Sequence, residues 1–286
     1  MTEVNFPSRV GILGGGRMGA GIAHAFLLAG AHILVVERDA VSAQAARERV
    51  ESAITKSIER GATGAGFAEL SARLSVTADP DGFTECGLVV EAVPEDWELK
   101  VRSLRGIEEW LGEDAFLASN TSSLSINGLA RELRRPQNFV GLHFFNPVPA
   151  STLIEVVVGE QTSVELAAVA KGWVAALGKT AVVVNDAPGF ASSRLGVAIA
   201  LEAMRMVEEG VASPEDIDAA MVLGYKHPTG PLRTTDLVGL DVRLGIADYL
   251  HSTLGERFAP PQILKDKVAR GELGRKSGQG FFDWTA

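Results

Sequence analysis

The sequence predicts an α/β protein: a doubly wound, mostly parallel sheet followed by a smaller all-helical C-terminal domain. Short β-branched runs alternate with helix-period segments as far as about residue 185, and a glycine-rich turn follows the first run. Beyond the stretch DAPG at 186–189 the helical pattern is alone until the last few residues. Alternation of that kind calls for crossover helices and parallel strands. At 286 residues the chain can bury two cores, and the change of pattern sets domains of 1–186 and 187–286.

The strand runs are 10–13, 33–36, 88–90, 116–118, 139–145, 153–158 and 181–184. The early ones lack period-2 alternation, as expected where helices cover both faces of a sheet. Segments 40–60 and 163–177 carry apolar residues at three- and four-residue spacing, the pattern of those covering helices. Residues 61–66 are the most loop-like stretch of the first domain. In the second, helices are expected at 189–209, 214–223, 235–254 and 261–270, stopped by Gly210, Gly224, Gly255 and Gly271. Ser213, before Pro214, is the expected N-cap of the helix at 214–223.

Lysine and arginine number 27 against 36 aspartates and glutamates, a net charge of −9, which disfavours nucleic acid or an anionic membrane as the main partner. Cys86 is the only cysteine, so the chain can form neither an internal disulfide nor a thiolate metal cluster, and no metal is expected. The first residues lack the basic start and apolar core of a secretory signal, and no apolar run approaches the ~20 residues that span a bilayer. A cytoplasmic protein is expected.

Gly14, Gly15, Gly16, Arg17, Met18 and Gly19 match G-x-G-x-x-G, a weak signal in isolation. Here it follows the strand at 10–13 and opens a helical run, the Rossmann-type setting in which loop amides and a helix N-terminus meet a pyrophosphate. Glu37 ends the next strand, 18 residues after Gly19, where a carboxylate accepts hydrogen bonds from the adenosine ribose. That acid favours NAD over NADP, a preference tempered by the neighbouring Arg38. The alternatives are a ligand-free tight turn and a solvated strand-end charge.

Polar groups gather after two later strands, SNTSS at 119–123 and HFFNPVP at 143–149. The loop at 147–152 returns the chain so that Glu155 can lie beside His143, an imidazole with a carboxylate partner. Removing hydride from a carbinol carbon needs a base for the hydroxyl proton, which imidazole supplies near neutrality. Ser122 can hold the reacting oxygen. On spacing alone, a single strand histidine is more often structural, Glu155 reads equally as a buried ion-pair partner, and Ser122 as part of a cap for a helix near Ser125.

These residues resemble the short-chain L-3-hydroxyacyl-CoA dehydrogenases over nearly the whole chain. The likeness rests on the glycine loop, VEAVPE at 90–95, ASNTSSL at 118–124, GLHFFNPVP at 141–149, PGF at 188–190, HPTGP at 227–231, DLVGLD at 236–241 and GRKSGQGFF at 274–282. It implies NAD-dependent, reversible oxidation of the 3-hydroxyl of an acyl-CoA in fatty acid β-oxidation, with His143 as base, Glu155 orienting it and Ser122 holding the substrate oxygen. It also implies NAD contacts from Glu37, Glu95, Lys100, Ser122, Asn146 and Lys276, and a homodimer joined through the helical domain. Lys56 and Arg60 fall where the family offers cations to CoA, a solvated helix face being the other reading.

The chain departs from the family at Ser193, which stands before Arg194 where an asparagine that helps Ser122 orient the substrate is usual. Thr229 replaces a usual methionine, and the loop at 149–153 lacks the usual methionine and lysine. These changes point to a shifted acyl preference, toward a polar-ended chain such as 3-hydroxyadipyl-CoA. Two alternatives are a dehydrogenase of free hydroxy acids, such as gulonate or carnitine, and a catalytically silent relative such as a lens crystallin.

Overall fold

The computed structural model describes residues 6–285 and divides into two compact units, Met1–Asp186 and Ala187–Ala286. The extreme N-terminus, read above for a leader, lies outside the described residues.

The first unit is an eight-stranded sheet: β1 (Arg9–Leu13), β2 (His32–Val36), β3 (Leu74–Thr77), β4 (Leu88–Glu91), β5 (Phe116–Ser119), β6 (Phe139–Phe144), β7 (Leu153–Val158) and β8 (Thr180–Asn185). Their order is β3-β2-β1-β4-β5-β6-β7-β8. The chain winds outward from β1 to β3, then returns past β1 to β4, which places a topological switch point between β1 and β4. Strands β1 to β6 are parallel, and β7 alone pairs antiparallel, to β6. The cause is length: only residues 145–152 join β6 to β7, too few for the dozen or more that a parallel crossover needs. α6 supplies such a crossover between β7 and β8, which run parallel.

The helices of this unit are α1 (Arg17–Leu28), α2 (Ala40–Glu59), α3 (Phe67–Ala72), α4 (Trp97–Trp110), α5 (Ile126–Ala130) and α6 (Val164–Ala176). Side-chain caps set several starts: Asp39 accepts from the Ser42 amide at 2.7 Å, Asp96 from Leu99 at 2.8 Å and Ser163 from Leu166 at 3.1 Å. The core is apolar: Val10, Ile12, Val35, Val90, Val140 and Val156 from the strands meet Ile22, Phe26, Val50 and Trp173 from the helices. Cys86 is buried, which pushes its thiol up to about 11 and leaves it a small apolar side chain rather than a nucleophile.

One strand escaped the periodicity. β3 is only four residues, LSVT, on the sheet edge, and its alternation is too short to stand out.

The second unit is helical: α7 (Ser192–Glu208), α8 (Pro214–Ala219), α9 (Pro231–Val238), α10 (Leu240–Leu254) and α11 (Gln262–Ala269). Two expectations need correction. The helix at 235–254 is two helices, broken where Gly239 takes φ +107°. Nor does Gly224 stop α8: the helix continues through a π turn, Ala220–Gly224, and the left-handed residue is Lys226, at φ +62°. Ser213 does cap α8, accepting from the Asp216 amide at 3.1 Å.

Three quoted motifs are architecture here. Asp236, 1% exposed, accepts the amides of Phe281 and Phe282 at 2.9 Å each and the indole N–H of Trp284 at 2.8 Å, pinning the tail onto α9. A Cβ at Gly280 would lie 2.3 Å from the Asp236 carboxylate, so the tail's glycines make that approach sterically possible. Asp218 likewise accepts the Leu232 and Arg233 amides at 2.8 and 2.9 Å, tying down the start of α9 just beyond HPTGP.

Candidate active site

In a parallel sheet the polar loops follow the carboxyl ends of the strands, and in this sheet those ends carry the glycine loop, Glu91–Glu95, Asn120–Ser123 and His143–Asn146 in turn. Glu155, near the start of the reversed strand β7, arrives at the same edge.

The glycine loop joins β1 to α1. Gly14 holds φ +91°, and a Cβ on Gly19 would stand 1.8 Å from the Gly14 carbonyl oxygen, so both must be glycine for helix and turn to close. A Cβ on Gly16 would meet nothing, and α1 begins at Gly16 with no side-chain cap. The first-turn amides are therefore not claimed by a cap, the arrangement that accepts a phosphate. Arg17 is exposed beside them and Met18 half-buried. Glu37 Oε1 accepts the Gly15 amide at 2.7 Å and Oε2 the Arg38 amide at 3.1 Å, which brings the carboxylate to the loop. Arg38 turns its Nε to Asp39 and Ser42 at 3.1 and 3.2 Å. These residues fit a dinucleotide: open amides for the pyrophosphate, an acid for the ribose.

A second cluster spans the ends of β4 and β5. Glu95 Oε1 accepts from the Thr121 hydroxyl at 2.7 Å, the Ser122 and Ser123 amides at 2.9 and 3.0 Å, and the Ser123 and Ser122 hydroxyls at 2.9 and 3.2 Å. Burial pushes the Glu95 carboxyl up, but the Lys100 charge and these donors outweigh it and hold it below the ordinary carboxylate range. Lys100, which reads from sequence alone as an exposed lysine, is 1% exposed. Its ammonium donates to Glu91 Oε1 at 2.7 Å and the Val93 carbonyl at 3.1 Å, and stands 3.4 Å from Glu95 Oε2. Glu91, fully buried, also takes the Val93 amide at 2.7 Å and the Ser119 hydroxyl at 2.6 Å. Sequence reasoning gave Glu91 and Ser119 no role; the signal was a carboxylate closing an otherwise apolar strand.

The third group lies on β6 and β7. The antiparallel register sets His143 directly opposite Glu155, and His143 Nδ1 lies 2.8 Å from Glu155 Oε2. The histidine is 6% exposed and the glutamate not at all. The connecting loop is fastened by Lys179, which donates to the carbonyls of Val148 at 2.7 Å and of Ser151. Asn120 accepts the Phe144 amide at 2.9 Å and so ties the serine loop to the histidine strand, while Asn146 is exposed beyond it. Lys56 and Arg60 are exposed at the end of α2. Of the residues in the second unit, Ser193 is half-buried in the first turn of α7, and Lys276 pairs with Asp241 at 2.5 Å. No cluster of His, Cys, Asp or Glu suited to a metal occurs among the described residues.

Residues 9–187 match the model described as the 3-hydroxyacyl-CoA dehydrogenase NAD binding domain, and residues 189–284 match that family's C-terminal domain. The chain belongs to the 3-hydroxyacyl-CoA dehydrogenase family. It is 39% identical over 277 residues to a probable 3-hydroxybutyryl-CoA dehydrogenase of Deinococcus radiodurans, covering 96% of this chain and 100% of that one. The crystal structure of (S)-3-hydroxybutyryl-CoA dehydrogenase from Ralstonia eutropha matches with a TM-score of 0.93 at 37% identity, over 98% of this chain and 99% of that one. The 3-hydroxyadipyl-CoA dehydrogenase of Escherichia coli is 35% identical over 280 residues, 97% of this chain but 59% of that protein. The first unit is thus the NAD-binding domain of a 3-hydroxyacyl-CoA dehydrogenase, an oxidoreductase.

Proposed function

We propose that the protein oxidises the 3-hydroxyl of a short-chain (S)-3-hydroxyacyl-CoA, 3-hydroxybutyryl-CoA or a polar-ended analogue, to the 3-ketoacyl-CoA, reversibly and with NAD. The 2.8 Å contact between His143 and a fully buried Glu155 carries this reading. A carboxylate only accepts, so Nδ1 holds the hydrogen and Nε2 keeps its lone pair as the base. His143 takes the hydroxyl proton on Nε2, and Glu155 stabilises the imidazolium that results. NAD, when bound, accepts the hydride from C3.

Ser122 supports the same reading. Its hydroxyl makes the longest of the five bonds to Glu95, at 3.2 Å, and can rotate to the reacting oxygen while its amide still holds the carboxylate. Glu95, Lys100, Asn146 and Lys276 would line the cofactor, Lys56 and Arg60 would face the CoA phosphates, and Ser193 would face the substrate in place of the family's asparagine. A cytoplasmic homodimer joined through the second unit belongs to this reading, supported by exposed Leu195, Leu237, Val238 and Val242 on α7, α9 and α10.

The test is absorbance at 340 nm with NADH and acetoacetyl-CoA, beside NADPH and beside free acetoacetate. Turnover with NADH and the thioester is expected. Turnover with the free acid alone would replace the acyl-CoA reading, and none with any pair would favour a silent relative.

A further inference from the structure

Among the described residues of the second unit, one buried charged side chain stands without a partner. Arg243, on α10, is 8% exposed, and its Nε is buried without a hydrogen-bond partner. No hydrogen bond or ion pair to its guanidinium occurs among the described residues. The positions three and four away on its own helix are Leu240, Gly239, Ile246 and Ala247, none of them acidic. Three carboxylates on α7, α9 and α10 have partners of their own: Asp236 the tail amides, Asp241 Lys276 and Glu202 Arg205. Burial alone lowers its pKa, with no acid to offset it. Buried charges are almost always paired, and an arginine does not shed its proton to escape the cost, so an unpaired buried guanidinium suits an anion.

The position of the guanidinium says which anion. A Cβ added to Gly196 on α7 would stand 3.4 Å from Arg243 Nη1, so the guanidinium end packs against α7 at the one turn where position 196 carries no side chain. Gly196 lies three residues, one helical turn, after Ser193. Resting on the placement of the substrate at Ser193 proposed above, we infer that Arg243 is a specificity-determining residue that binds a carboxylate at the distal end of the acyl chain. The preferred substrates are then CoA thioesters of dicarboxylic 3-hydroxy acids. A planar fork of donors fits a carboxylate in two parallel hydrogen bonds, whereas a methyl-ended chain leaves the charge unmet.

The test measures kcat/KM for (S)-3-hydroxyadipyl-CoA and (S)-3-hydroxybutyryl-CoA in the wild type, Arg243→Met and Arg243→Lys, with the affinities of the non-reacting adipyl-CoA and hexanoyl-CoA, equal in chain length. The ratio of the two kcat/KM values, and the ratio of the two affinities, should each fall ~10–100-fold in Arg243→Met, the range for losing a charged hydrogen bond, and partly recover in Arg243→Lys. Circular dichroism checks that both variants fold; should the methionine variant not fold, the lysine variant alone still lowers both ratios. Unchanged ratios overturn the inference. So does an equal loss for every thioester, which would assign the arginine to a CoA phosphate, or a loss that tracks oligomeric state, which would assign it to a partner subunit's acid. Should the wild type turn over neither thioester, the dehydrogenase reading fails, while the adipyl-to-hexanoyl affinity ratio still decides the case for Arg243.

Discussion

His143 faces a carboxylate that is wholly out of water, and that one contact sets both the tautomer and the charge balance of the proposed base. Replacing His143 with Gln is expected to cut kcat by ~10²–10⁴-fold, the range for removing a general base, while the Kd for NADH stays within error by fluorescence titration. Glu155→Gln is expected to lower kcat as well, with the loss confined to turnover, because the residue acts through the imidazole; weakened NADH binding instead would contradict that role. Glu95 makes a different kind of prediction. Its carboxyl sits below its ordinary value of 4.5, so through the acid range the unfolded chain binds more protons than the folded one. The stability it contributes is present above about pH 4.5 and lost as pH falls through the lower folded value. Melting temperatures measured from pH 6 to pH 3 should therefore decline less steeply in Glu95→Gln than in the wild type.

Elements differ in how openly the sequence announces them. The runs at 10–13 and 153–158 are visible because apolar β-branched residues fill both faces, and the glycine loop because its contacts are steric and local. What stays hidden is whatever depends on distant packing. The break at Gly239 is invisible because apolar spacing continues across it; only its φ of +107° stops the helix. Lys100 reads as solvated until β4 brings Glu91 against it, and Asp236 reads as one more helix charge until the tail, some 45 residues later, donates to it. His143 and Glu155 were legible as a pair because the loop between them is short enough to fix the strand direction. The glycine loop supplies the prediction at this scale. Gly19→Ala must displace the Gly14 carbonyl, so it should destabilise the first unit by ~1–3 kcal/mol in urea unfolding and weaken NADH binding, since loop and helix start move together.

At the scale of the whole chain, each unit has its own core, one built on the sheet and one on α7, α9, α10 and α11. A lesion in one is expected to leave the other's binding function standing. Asp236→Ala strips the acceptor from three donors, two of them buried, and should cost the second unit ~3–5 kcal/mol, seen as an earlier calorimetric transition. NADH binding by the first unit should survive below that transition.

The pairing of β6 with β7 carries a consequence for how this site can change over generations. Side chains on a strand alternate faces, so a one-residue slip of β7 would send Glu155 to the opposite side of the sheet, and a two-residue slip would return it to the right face about 7 Å along the strand. No intermediate position exists. Apart from Asn146 and the buried Val148, the loop at 145–152 can drift in sequence so long as it stays short and the ladder keeps its count. Within β7 a single deletion is all or nothing, so the site sits on a ratchet rather than a slope.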